Sequence, residues 1–329
     1  MLILTAEDIK KVFNMKDAIE ADKEAFEIYS KGQSEVPLRT NIKVEKYNGS
    51  SLFMPGYVKQ IDSLGIKIVS VFPENIKKGL PAVPAKMILL DGKTGDVCSI
   101  MDGTYLTKLR TGASAGAATD VLARKDSKIG ALIGTGGQAF CQLEALLVTR
   151  DLDVVKVYSR NREKVLNFVK NANAKLSSYN TKIVAAETSD EAIEDADVIT
   201  VVTTSTKPVF DGRKIKKGAH INGVGSFMEH MQEIDEHTII NCDKAFVDSK
   251  EAVLNESGDF IIPIKKGLIS KEKVNGELGE VIGKVLKGRE TDEEITLFKS
   301  VGIAVQDVVT AYKIYKRALE KGIGQNIEL

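Results

Sequence analysis

Residues 130 to 140, GALIGTGGQAF, set the first chemical question in this chain. An apolar run breaks at Gly134-Thr-Gly136-Gly137 and resumes as QAFCQLEALLVTR, which is compatible with a helix. A strand that turns into a helix through glycines aims free backbone N–H groups and a positive dipole end at one point, which suits a phosphate. Taken alone the pattern is also that of a plain glycine turn between a buried strand and a helix. A dinucleotide site needs a second strand about 20 residues on, with a ribose anchor at its tip. The sequence supplies that strand. Gly134 allows the tight turn, Gly136 lets backbone approach a pyrophosphate, and Ala139 stands where a small residue permits close helix–strand packing. Gly134, Thr135, Gly136, Gly137, Gln138 and Ala139 are therefore predicted to cradle a dinucleotide.

The second strand ends Val157-Tyr158-Ser159-Arg160-Asn161-Arg162. An acidic residue here would bond the ribose hydroxyls of NAD and repel a 2′-phosphate. None is present; Ser159, Arg160 and Arg162 offer a hydroxyl and two guanidinium groups, suited to a phosphate. Both arginines could instead be solvated surface charges, the less favoured alternative. NADP(H) is the expected preference, with NAD(H) possible. Thr203 and Thr204, at the end of a later strand, fall where the switch-point rule puts the nicotinamide ribose. Other charges sit in apolar settings: Lys67 inside GIKIVSVF, Arg110 in YLTKLRTGASAG, and Arg39 after Val36-Pro37-Leu38. Such groups are either outward and harmless or inward and functional.

The elements that must position these residues change character along the chain. Thr5-Ala-Glu-Asp8 opens a helical pattern that runs through Met15, Ala18, Ala25 and Tyr29 to Gly32. From about residue 36 to 102, alternating apolar runs separated by Gly, Pro, Asn and Asp predict a small, largely antiparallel sheet. TYLTKLRTGASAGAATDVLAR reads as a helix rich in small residues that bridges two domains. From 128 onward strands alternate with helices: KIGALI (128–133), VVKVYS (154–159), KIVAAE (182–187), ADVITVVTT (196–204), AHINGVG (219–225) and KAFVDS (244–249). Their continuous apolar runs indicate a parallel sheet covered on both faces. Thr291-Asp-Glu-Glu294 reads as the start of a final helical region through ITLFKSVGIAVQDVVTAYKIYKRALEKG.

Composition narrows the class. An apolar fraction of 43% over 329 residues can fill a real core. Forty-six basic and forty-six acidic residues cancel, so no net field draws nucleic acid or an anionic membrane. No apolar run reaches the roughly 18 residues of a membrane span, and MLILTAEDIKK does not resemble a secretory signal. A cytoplasmic protein is expected. Cys98, Cys141 and Cys242 are scattered and read as small buried hydrophobes, and His220, His230 and His237 lack metal-site spacing, so no metal is expected.

PLRT, LFMPGY, GIKIVSVFPEN, LLDGKTGDVCSIMDG, LTKLRTGASAGAAT, ALIGTGGQA, HINGVGS and LFKSVGIAVQD, in this order over nearly the whole chain, resemble the ornithine cyclodeaminase/mu-crystallin family. The resemblance implies an α/β fold in which a doubly wound Rossmann sheet is inserted into a smaller α+β substrate and dimerisation domain. Residues 116–304 would form the Rossmann domain, and 1–115 with 305–329 the other. It implies that Arg39, Lys67 and Arg110 hold the substrate carboxylate and line the reacting centre, with Met54 beside the substrate. Asp307 matches a family position, with a capping or interdomain role open. Thr111, Val224 and Ser226 join the expected cofactor contacts. A homodimer acting on a small imino or amino acid is implied.

The family admits several chemistries. A reductase would transfer hydride to the C=N bond of a cyclic α-imino acid such as pyrroline-2-carboxylate. A cyclodeaminase would convert ornithine to proline and ammonia with catalytic NAD. Alanine dehydrogenase is a variant of the first, and a pure binding protein has no need of Arg39, Lys67 and Arg110. One departure favours the reductase. Cyclodeaminases and alanine dehydrogenases carry an aspartate where this chain has Phe227, in the substrate site. A phenyl ring cannot partner a distal amine but suits a ring already closed, unless Ser226 or Glu229 stands in.

Overall fold

Hairpins dominate the N-terminal part of the chain. In the computed structural model, which describes residues 1–328, strand β1 (Leu2–Leu4) leads into helices α1 (Ala6–Val12) and α2 (Met15–Ser30). The sequence predicts one helix from Thr5; there are two. Thr5 caps α1 reciprocally with Asp8, but Phe13 turns extended (φ −145°) and Asn14 begins a second reciprocal cap with Asp17. Phe13 and Met15 are both buried, so apolar spacing runs through the break without registering it. Strands β2 (Ser34–Glu35), β3 (Thr40–Val44), β4 (Gly49–Val58), β5 (Ser63–Val71), β6 (Ala85–Asp91) and β7 (Val97–Asp102) follow. Antiparallel pairs join β3 to β4 and each of β4 to β7 to the next, as their alternation predicts, and β1 adds parallel to β7. Helix α3 (Gly103–Leu122) comes next. The chain divides into two compact units, and one boundary falls inside this helix: the first unit holds Met1–Arg110 and the segment from Ile303 on, the second Thr111–Gly302.

The second unit runs β8 (Ile129–Ile133), α4 (Ala139–Thr149), β9 (Val154–Tyr158), α5 (Arg162–Lys175), β10 (Lys182–Ala185), α6 (Ser189–Ile193), β11 (Val198–Val201) and β12 (His220–Gly223). It continues with α7 (Glu236–Asn241), β13 (Lys244–Val247), α8 (Lys250–Glu256), α9 (Gly258–Lys265), β14 (Gly276–Glu277), α10 (Leu278–Ile282) and β15 (Thr296–Lys299). The sheet is parallel throughout in the order β10-β9-β8-β11-β12-β15-β13-β14. It is doubly wound, with its switch point between β8 and β11, where ligands bind in such folds. Leu132, Val155, Val157, Ile183 and Val198 of the strands pack with Leu143 and Leu146 of α4 in one core. The small residues of α3 have a use here: a Cβ on Gly112 would stand 2.5 Å from Cys141 O on α4, so only glycine permits this approach. Arg150, buried after α4, closes the other end of α3. It donates to the carbonyl of Thr119 (2.6 Å), which the Ala123 N–H also reaches (3.0 Å), and to those of Ala123 (2.9 Å) and Arg124 (2.8 Å) beyond the last helical residue.

The helix predicted from residue 291 is corrected in its first part. Glu294 accepts backbone N–H groups of Glu290 and Thr291 in a turn, and Thr296–Lys299 is strand β15, wedged between β12 and β13 and buried throughout. A short run buried on both faces carries no period of two, so ITLFK reads as helix or strand alike. Helix α11 (Ala304–Lys321) begins only after Ile303, whose N–H donates to Gln306. It belongs to the first unit and lies on the β4–β5 face, where Gly56 and Gly65 leave room for Val308 (3.4 Å from where a Cβ on either glycine would stand). Strand β16 (Gln325–Asn326) then pairs antiparallel with β1. No helix among the described residues is long and apolar enough to cross a membrane.

Arg150→Met keeps the apolar stem but takes the Arg150 donor from the Ala123 carbonyl and one of two donors from those of Thr119 and Arg124, and should lower the unfolding free energy by about 1–3 kcal/mol in denaturant titrations followed by circular dichroism. A change below about 0.5 kcal/mol would mean that the end of α3 is satisfied without it.

Candidate active site

Strand register decides which of the suspected residues of the first unit meet. Met54 pairs with Lys67 and Lys67 with Met87, so the three stand in one row on one face of the sheet. Thr40 pairs with Phe53; carried one residue outward, that register sets Arg39 alongside Met54. Helix α11 covers the face and brings Asp307 to the row. Asp307 Oδ2 accepts from Lys67 Nζ at 2.7 Å, and its Oδ1 lies 3.0 Å from Arg110 Nε, an ion pair without the alignment of a hydrogen bond. All three groups are buried, Asp307 fully. Arg110 NH1 also donates to Gln306 Oε1 (3.3 Å), which accepts from Ile303 N–H as well. That leaves the Gln306 amide to donate to Asp22 Oδ2 (2.9 Å) on α2. Lys67, Arg110 and, half-buried, Arg39 thus gather at one site with Met54.

Burial makes the lysine unusual. Loss of water pushes its pKa down most, Arg110 adds to that, Asp307 pulls it back up, and Arg39 lowers it further; the balance is about 7. An ammonium that exchanges its proton near neutrality suits acid–base work in a way a surface lysine near 10.5 does not.

In the second unit the glycine loop follows β8 at the switch point. Gly134 has φ +114°, and a Cβ there would collide with Val202 O, so glycine is required twice over. Its N–H donates to Tyr158 O (2.8 Å), tying the loop to the crest of β9. Gly136, by contrast, faces open space: a Cβ there would touch nothing within 4 Å. Helix α4 starts just beyond, at Ala139, with no side-chain cap, so its first N–H groups have no such partner. Together these form a cradle that fits a pyrophosphate. Thr135 is half-buried beside the exposed Gly136 and Gly137, Gln138 is the helix's cap residue, and Thr111 O accepts from Gln142 of α4 (2.9 Å). Ser159, Arg160 and Arg162 stand at the crest of β9, the arginines exposed.

The loops after β11 and β12 are joined by a residue that sequence reasoning misses. Glu233, fully buried, accepts N–H groups from Thr203 on one loop and from Gly225 (2.6 Å) and Ser226 (2.7 Å) on the other. Asp259 accepts Glu233 N–H (2.7 Å) and pairs with buried Lys299 Nζ (2.8 Å). Burial raises the Glu233 pKa, Lys299 opposes that, and Asp259 adds to it. Lys299 in TLFKSVGI carries the signature that singled out Lys67, a lone charge in an apolar strand, and that signal would have led here. Val224 is buried, Thr204 exposed and Phe227 half-buried. The Ser226 hydroxyl turns inward and donates to Met231 O (2.8 Å), while Glu229 is exposed and pairs with Lys265 (3.1 Å). Neither stand-in for an aspartate at Phe227 is unengaged.

The model of the ornithine cyclodeaminase/mu-crystallin family matches residues 1–322. A Delta(1)-pyrroline-2-carboxylate reductase of Bacillus cereus is 39% identical over 328 residues, covering 100% of both chains. The structure of the Thermococcus litoralis reductase of that name, in complex with NADH and L-proline, superposes with a TM-score of 0.95 at 45% identity, over 99% of this chain and 100% of that one. An archaeal alanine dehydrogenase dimer with bound NAD gives 0.92 at 37% identity, over 100% and 99%. The chain belongs to the ornithine cyclodeaminase/mu-crystallin family.

Proposed function

We propose that this protein is an NAD(P)H-dependent reductase of cyclic α-imino acids, converting Delta(1)-pyrroline-2-carboxylate or a homologue to L-proline or its counterpart. The observation that carries the reading is a buried lysine held at 2.7 Å by Asp307, whose other oxygen faces Arg110 at 3.0 Å. Arg110 and Arg39 clamp the substrate carboxylate and so orient the imine carbon. Lys67 delivers a proton to the ring nitrogen, and Met54 gives the closed ring apolar surface. The bound nicotinamide supplies the hydride. The second unit is the dinucleotide-binding domain, with the loop from Gly134 to Ala139 on the pyrophosphate and Thr111, Thr203, Thr204, Val224 and Ser226 toward the nicotinamide end. The first unit is the substrate and dimerisation domain. NADPH is preferred through Ser159, Arg160 and Arg162, with NADH also used. A homodimer is consistent with the exposed Leu38 and Ile42 around edge strand β3 and with the dimeric alanine dehydrogenase. The setting is cytoplasmic.

A panel of cyclic imines and amino acids with NADPH, NADH and NAD⁺ tests the assignment. Rapid NADPH oxidation is expected with a five- or six-membered ketimine acid, and little ammonia from ornithine with catalytic NAD⁺. Proline and ammonia from ornithine without net cofactor turnover would make the protein a cyclodeaminase; preference for pyruvate and ammonia would make it an alanine dehydrogenase.

The roles of Lys67 and Arg110 separate in kinetics. With Lys67 as the acid, kcat/KM for reduction should fall as pH rises through about 7, and proline oxidation should show the opposite limb. Asp307 raises the lysine's pKa, so Asp307→Asn should move that limb to lower pH. An unmoved limb would assign it to another group. Arg110→Ala should chiefly raise KM for the imino acid, weakening binding by on the order of 2–5 kcal/mol if its charge meets the carboxylate out of water. A small loss that salt screens would remove Arg110 from the clamp.

A further inference from the structure

The two arginines at the crest of β9 are not equivalent. Arg160 is exposed and makes no ion pair or hydrogen bond among the described residues. Arg162, in the first turn of α5, is held on two sides: NH1 donates to Ala186 O at 2.9 Å and NH2 pairs with Glu187 Oε1 at 2.5 Å. Both acceptors follow β10, the strand beside β9, in which Ala185 pairs with Val157. Glu187 is itself steadied, since its N–H donates to Glu191 Oε2 at 2.7 Å. An acidic residue is therefore present at this crest after all. It comes from the neighbouring strand, 29 positions beyond the end of β9 at Tyr158, where inspection of the strand tip alone does not find it.

We propose that Glu187 is a specificity-determining residue that occupies Arg162 and sets how strongly the enzyme distinguishes a 2′-phosphorylated dinucleotide from one with a free ribose hydroxyl. The inference rests on the reading above that the crest of β9 receives the adenosine ribose. A 2′-phosphate approaching Arg162 must displace a carboxylate from the guanidinium edge and then lie beside that like charge. A neutral ribose meets neither obstacle. The pair is exposed on both sides, so it is weak and exchangeable, and the discrimination is graded rather than absolute. Arg160 remains available to the phosphate whichever partner Arg162 takes.

The test is a double-mutant cycle on dissociation constants of NADPH and NADH, read by nicotinamide fluorescence so that no substrate is needed. Glu187→Gln keeps size and removes charge; it should raise the ratio of NADPH to NADH affinity about fivefold, the scale of an exposed ion pair. The gain should shrink at about 0.5 M salt, where the screening length is a few ångströms. In an Arg162→Gln background the same change should raise the ratio clearly less, because only the direct repulsion between carboxylate and phosphate is then relieved. An unchanged ratio in Glu187→Gln, or an equal gain without Arg162, overturns the proposal. A wild type that favours NADH while Glu187→Gln still shifts the ratio would sink the NADPH preference and leave the role of Glu187 standing. If Arg162→Gln lowers NADPH affinity but Glu187→Gln does nothing, the ribose site survives and the proposal does not.

Discussion

The first unit is organised around the burial of one ammonium. Taking such a group out of water costs on the order of several kcal/mol, and its attraction to a partner offsets that only when the geometry is good. Lys67 meets Asp307 at 2.7 Å, but the same carboxylate also faces Arg110, so two cations share one anion. The cluster carries surplus positive charge away from solvent. Lost water first, and then that surplus, depress the lysine's pKa, and the surplus also makes the site receptive to an incoming carboxylate. An imino acid would bring the missing charge and a nitrogen ready for a proton, so electrostatic need and chemistry point to one class of ligand.

Much of the surrounding architecture serves that cluster. Asp307 reaches Lys67 because α11 lies on β4 and β5, where Val308 packs against the strands at Gly56 and Gly65. Gln306, one position earlier, has its amide direction set by Ile303 N–H and Asp22, and so presents an oxygen to Arg110. Asp307 on α11 supplies the counter-charge, while Lys67 on β5 and Arg110 on α3 supply the cations. Truncating either partner of a buried pair leaves the other unpaired, which is more costly than the pair is worth.

The second unit solves a different problem by similar means. Loops at the C-terminal ends of parallel strands have backbone groups with no ladder to join. Here Gly134 N–H goes to Tyr158 O, and Glu233 collects three N–H groups from the loops after β11 and β12. The crest is thereby held with little freedom, while the first turn of α4 keeps its N–H groups uncapped by any side chain. Phe227, on the loop after β12, leaves no carboxylate there; the nearby Ser226 hydroxyl is committed to Met231 O, and Glu229 is exposed in a surface pair with Lys265.

Local chemistry was legible in the sequence. The glycines of the loop, the apolar runs of the parallel strands, the reciprocal cap at Thr5 and the lone charge of Lys67 each follow from rules that act within a few residues. The break at Phe13 and the strand at Thr296–Lys299 were not legible, because apolar spacing is the same whether a buried run is helix or strand. Partnerships across long separations lay equally out of reach. Asp307 stands 240 positions from Lys67, and Gln306 284 from Asp22, while Glu187 meets Arg162 across two strands. The sequence by itself determined which groups could carry charge, turn a strand or cradle a phosphate. Only the tertiary structure decided which charges share a partner, because a pKa near 7 comes from lost water and neighbouring charges, and both are set by packing rather than by position along the chain.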